Sequence, residues 1–125
     1  MSLDIINPTE ILGRTYANIL SSSTYDYHDN PSVVLSNTNS DKVFKINSII
    51  ATNNTTTNNE VSIAIRDSNS GGVIAHIVKK LDIPPKSSQI ISTKETYFYL
   101  EEDCKLAAAK TGDTSLLISY EVIST

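Results

Sequence analysis

The chain contains no tryptophan, one cysteine, two phenylalanines, and only four glycines and four prolines in 125 residues. Each scarcity excludes something. Cys104 alone cannot close an internal disulfide, so the fold is expected to stand on packing, and nothing suggests adaptation to an oxidising compartment. Structural zinc takes four ligands, more than Cys104, His28 and His76 supply. Neither phosphate-binding glycine motif is present, and no Gly-x-Ser-x-Gly elbow occurs. No apolar run approaches the roughly 18 residues of a membrane span. Positive charge is never concentrated: the ten Lys and Arg are scattered, Lys79 and Lys80 are the one adjacent pair, and net charge is −4. That distribution lacks the basic face on which nucleic-acid binders rely. The first eight residues place Asp4 where a secretory signal carries positive charge and contain no apolar core of signal length. These features predict a protein without cofactor, metal, nucleic acid or membrane, assembled in the cytoplasm.

What the chain has in abundance is small polar residues. Its 17 Ser, 13 Thr and 11 Asn account for 41 of 125 positions, whereas charged residues make up only 19%. Such a mixture suits strands joined by hydrogen-bonding turns. A hydrophobic share of 39% is too high for a disordered chain.

Residues 1–13 include Asn7-Pro8-Thr9 and show no sustained alternation, which predicts an N-terminal arm. Its apolar side chains, Ile5, Ile6, Ile11 and Leu12, should pack on the chain's own domain or on a neighbouring subunit. The domain would then occupy residues 14–125. A first strand is expected over 14–20, followed by a polar loop over 21–31 that holds Tyr25, Asp26, Tyr27, His28 and Asp29. Residues 33–35 are short and apolar. Over 43–52, Phe44, Ile46, Ile50 and Thr52 alternate with Lys45, Asn47, Ile49 and Ala51, which puts the first set on the core. An Asn/Thr loop at 53–59 leads to a strand bearing Val61, Ile63 and Ile65, and a hairpin at 67–72 leads into another over 73–81. Pro84 and Pro85 end that strand. Further strands are expected at 88–92, 96–100, 105–109 and 115–123. About eight short strands, spaced by turns and without helical periodicity, predict an all-β fold: a single antiparallel β-sandwich of jelly-roll or Ig-like connectivity.

Several local patterns invite a chemical reading. Residues 67–72, Asp-Ser-Asn-Ser-Gly-Gly, resemble the opening of a calcium loop, but the twelfth position is Val78 instead of a bidentate Glu, so a hairpin turn is the simpler reading. Glu101, Glu102 and Asp103 form the densest acidic cluster; adjacent strand residues point to opposite faces, which favours a charged turn over a catalytic carboxylate pair. Tyr25, Tyr27 and His28 combine rings with neighbouring carboxylates and could contact a glycan or a metal, although a decorated exposed loop explains the same residues. His76 is expected to be a packed or edge histidine. Asn53 and Asn54 begin formal glycosylation sequons, which without an export signal indicate only a polar loop.

Four phrases taken together carry a family resemblance. They are Ile-Leu-Gly-Arg-Thr-Tyr-Ala-Asn-Ile-Leu at 11–20, Lys-Val-Phe-Lys-Ile-Asn-Ser-Ile-Ile at 42–50, Tyr-Leu-Glu-Glu-Asp at 99–103, and Ser-Tyr-Glu-Val-Ile at 119–123. In order and spacing the chain resembles small virion structural proteins of tailed bacteriophages, particularly those infecting marine cyanobacteria. It departs from that pattern at Asp103, where the family favours glycine. The resemblance implies a non-enzymatic β-sandwich subunit, an accessory or decoration protein of the capsid, neck or tail. It would bind other virion proteins and form a homo-oligomer such as a trimer, through sheet edges and the arm residues Ile5, Ile6, Ile11 and Leu12. A carbohydrate-binding module for host-surface attachment, using the loop with Tyr25, Tyr27 and His28, is the alternative.

Overall fold

A computed structural model describes residues 8–67 and 71–124 and shows an all-β protein. Nine strands follow one another: β1 (Glu10–Leu20), β2 (Ser32–Asn37), β3 (Lys42–Asn53), β4 (Asn59–Asp67), β5 (Val73–Ile83), β6 (Ser88–Ser92), β7 (Phe98–Leu100), β8 (Cys104–Lys110) and β9 (Thr114–Ser124). Single 3₁₀ turns lie at Ser23–Tyr25 and Lys94–Thr96. All pairings are antiparallel.

One sheet has the order β1-β9-β3-β6, with β7 also pairing β3; the other has the order β2-β8-β4-β5. Because β6 and β7 lie along the same side of β3, they act as one edge strand interrupted by the turn at Lys94–Thr96. The result is two four-strand layers in which the chain crosses repeatedly from one to the other. This is jelly-roll connectivity, the first of the two arrangements expected from the strand spacing.

The core lies between the layers. Ile46, Ile49, Leu116 and Ile118 of the first sheet meet Ile63 and Leu106 of the second, all essentially inaccessible to solvent. Burying side chains of this size removes roughly 1.5–3 kcal/mol of exposure each, which is what a domain without a disulfide has to rely on.

In β3 the observed inward set differs from the expected one. Phe44 and Ile46 face the core as predicted, but they are joined by Ile49 and Ala51, not by Ile50 and Thr52. The ladder with β9 passes from Ile46↔Tyr120 to Ser48↔Ser119, leaving Asn47 as an extra residue. A β-bulge changes the parity of everything beyond it. Asn47 is held there by a bond from its Nδ2 to Glu121 Oε1 at 2.8 Å.

Strand boundaries also differ at the N-terminus. β1 starts at Glu10, so Ile11 and Leu12 belong to a strand and not to the expected arm; they pair with Ile123 and Val122. A strand exposed on nearly its whole length shows no hydrophobic alternation, which is why residues 10–13 read as irregular. Ile5 and Ile6 lie outside the described residues. At 96–100, only Phe98–Leu100 is strand, because Thr96 closes a capping box with Thr93.

Candidate functional site

Two surfaces gather the residues singled out from the sequence. The first is the 21–31 loop, which lies against the outward face of the second sheet. There Ser62, Ala64, Ala107 and Ala109 are fully buried even though their parity turns them away from the core. Small side chains let the loop approach. Arg66 Nη1 donates to Pro31 O at 2.7 Å, His76 Nε2 donates to His28 O at 3.0 Å, and Lys79 pairs with Asp29 at 2.6 Å. Lys110, almost wholly buried, reaches Asp26 Oδ1 at 2.6 Å.

His28 is the centre of this arrangement. Its Nδ1 lies 2.6 Å from Ser62 Oγ and its Nε2 lies 3.3 Å from Thr111 Oγ1. Ser62 Oγ already accepts the Lys80 N–H at 2.9 Å, so its own proton is free to go to Nδ1. The two hydroxyls bracket the ring, one at each nitrogen. Burial holds the His28 pKa below its ordinary value, against the opposing pull of Glu60, Asp29 and Asp26. A serine and a histidine this close suggest a nucleophile and its base. Ser62, however, is wholly inaccessible and bonded on both sides, so the pair ties loop to sheet.

Beside it the loop forms a shallow cavity of about 320 Å³ lined by Asp26, Tyr27, His28, Asp29, Asn30 and Lys80. Tyr27 is 66% exposed at this site. Tyr25 is placed differently from the expectation of two rings presented on one loop: it packs against the core beside Tyr16, and burial raises its pKa.

The remaining candidates have structural partners. Of the 67–72 segment, residues 68–70 lie outside the described residues; Asp67 N–H donates to Gly72 O at 2.9 Å, and Gly71 takes φ +74°. Arg66 donates from Nε to Gly71 O at 2.9 Å, with Nη2 on the same oxygen. A guanidinium thus occupies the carbonyl that a cation would seek. Glu101, Glu102 and Asp103 form the turn between β7 and β8, closed by Cys104 N–H to Glu101 O at 3.1 Å. Burial, with Glu101 and Asp67 adding to it, pushes the Cys104 thiol up, opposite to the shift that activates a cysteine. Asn53, in one of the two sequons, is buried and donates to Thr57 O and Ile83 O at 2.7 and 2.9 Å.

The second surface is the outward face of the first sheet and its exposed β1 edge. One ladder row crosses β1, β9, β3 and β6 with apolar residues: Ala17 opposite Leu117, Leu117 opposite Ile50, and Ile50 opposite Ile90. Leu117 is 43% and Ile90 64% exposed. Ala17, Leu117 and Ile50 line, with Ile19, an open depression of about 460 Å³. The next charged row carries Glu121 opposite Lys45, whose Nζ stands 4.4 Å over the Tyr97 ring. No single residue on this surface announces it in the sequence, because a row across four strands is contiguous only after pairing. The chain matches no protein-family model and no curated protein sequence.

Proposed function

We propose that the protein is a non-enzymatic structural subunit of a phage virion, an accessory or decoration protein that acts through contacts between subunits. The observation that carries this reading is the first sheet. All four phrases of the phage resemblance fall within it and its adjoining turn, on β1, β3, β7 and β9, and the same sheet has the apolar outward row and an exposed strand at its edge. An apolar row on a folded surface is the usual mark of a face that becomes covered, and jelly rolls recur in viral shells and in lectins alike. In this role the subunit binds other virion proteins by symmetry and needs no bound cofactor.

The test is fractionation of phage lysates that contain the chain. It should band with density-purified particles in a fixed ratio to the major shell protein and survive a salt wash. Recovery only in the particle-free fraction contradicts the reading.

A glycan-binding role has one specific observation in its favour, the exposed Tyr27 ring beside a cavity with Asn30 and two carboxylates. Stacking on an aromatic face with polar groups around it is how sugars are held. Titration with cell-surface glycans should then show binding that Tyr27→Ala abolishes, and silence across the set removes this alternative.

A further inference from the structure

A β-sandwich has exposed strand edges, and proteins blunt such edges to avoid unintended pairing. Three of the edges here are blunted. β2 is six residues long and irregular between Val33 and Leu35. β5 breaks register three times against β4 and carries Lys79, Lys80 and Asp82, with Lys80 at φ +54°. The β6/β7 edge is cut in two by the turn at Lys94–Thr96. β1 is not interrupted in any of these ways. It is eleven residues long, pairs with β9 from Glu10↔Ser124 to Leu20↔Thr114 without a shift, contains no proline or lysine, and is exposed at nine of its eleven positions.

We infer that β1 is a self-recognition edge, on which a second copy of this chain adds its own β1 in antiparallel register centred on Thr15. The inference rests on the structural-subunit reading and names the contact through which it operates. The register follows from symmetry. A two-fold axis normal to the sheet makes the strands antiparallel and keeps the outward faces of both copies on one side. Paired residue numbers must then sum to an even value, and only a sum of 30 pairs all eleven residues. Thr15 faces Thr15 of the second copy. Ile11 faces Ile19, Gly13 faces Ala17, and Arg14 faces Tyr16.

The sequence of β1 fits this pairing at Ile11 with Ile19, Gly13 with Ala17 and Arg14 with Tyr16. Ile11 and Ile19, 54% and 58% exposed, are the two most exposed large apolar side chains on the strand, and each meets the other across the axis. Ile11 also heads the row Ile11↔Ile123↔Val43, so Ile19 of the second copy extends an apolar row already buried at Ile123 and Val43. Gly13 has no atom within 4 Å of where its Cβ would be, which leaves room beside Ala17. Arg14 against Tyr16 sets a guanidinium next to an aromatic ring, and no like charges meet. Cross-strand pairs of this kind contribute roughly 0.2–1 kcal/mol each, in addition to the backbone ladder. Closed two-fold pairing ends at a dimer; it does not propagate.

Cysteine cross-linking reads the register directly, since opposed strand residues lie at about the Cα separation a disulfide spans. In the full chain with Cys104→Ser, Thr15→Cys should form a covalent dimer under mild oxidation. Gly13→Cys and Ala17→Cys should each stay uncross-linked alone and cross-link when mixed. Thr15→Lys, an exposed change that opposes two lysines on the axis, should weaken dimerisation at least tenfold by sedimentation while leaving the thermal unfolding midpoint nearly unchanged. Absence of the Thr15→Cys dimer, or association unaffected by Thr15→Lys, overturns the β1 register. If the chain still bands with particles in either case, the structural-subunit reading stands and only this contact is wrong.

Discussion

His28 and Ser62 are 34 residues apart in the chain and 2.6 Å apart in the fold, and their hydrogen bond fastens the 21–31 loop to the second sheet. Because burial holds the folded-state pKa below the ordinary 6.5, the unfolded chain takes up a proton first as pH falls. Stability is therefore full above about pH 6.5 and declines as the solution is acidified from there towards the folded-state value. The unfolding midpoint should drop between pH 7 and pH 5, and His28→Gln should flatten that slope while lowering the midpoint at pH 7. A midpoint independent of pH in this range would show that the loop is not anchored through neutral His28.

Asp103 has φ +64° in the turn that follows β7, a left-handed conformation that suits glycine. Asp is among the non-glycine residues that tolerate this region best. Asp103→Gly should change stability by less than about 1 kcal/mol, whereas Asp103→Val should lose about 1–3 kcal/mol through backbone strain. Chemical denaturation of the three proteins checks this; a loss as large for Gly as for Val would place the role of Asp103 in its side chain.

Asn53 and Asn59 turn the Asn/Thr run into a knot. Asn53 Nδ2 donates to Thr57 O and Ile83 O, its Oδ1 accepts from Thr55, and Asn59 Nδ2 donates to Asp113 O at 3.2 Å. Asn53→Ala removes the side-chain donor to the buried Ile83 O, which costs about 1–3 kcal/mol. Its denaturation midpoint should fall well below that of Asn54→Ala, an exposed neighbour whose Nδ2 reaches only Ser115 Oγ. Equal midpoints would contradict the hub.

Alternation located β4 and β9 within two residues of each bound, because both have one face on the core. It misassigned the second half of β3, since a single bulged residue at Asn47 leaves no local trace while reversing every side chain after it. The start of β1 was hidden for the opposite reason: an edge strand exposed on both faces has no alternation to read. The 53–59 run reads only as a polar loop, because letters do not show which asparagines are buried. The His28–Ser62 bond and the row from Ala17 to Ile90 were beyond local pattern, since each joins segments that only the jelly-roll crossings bring together.

The central claim is that this subunit works by assembling, and that β1 is the edge through which copies meet. The most direct measurement is the molar mass of the purified full chain by light scattering over a wide concentration series. The account predicts a reversible rise from one chain mass to two, with Thr15→Lys shifted to higher concentration. A single chain mass at every concentration would contradict it.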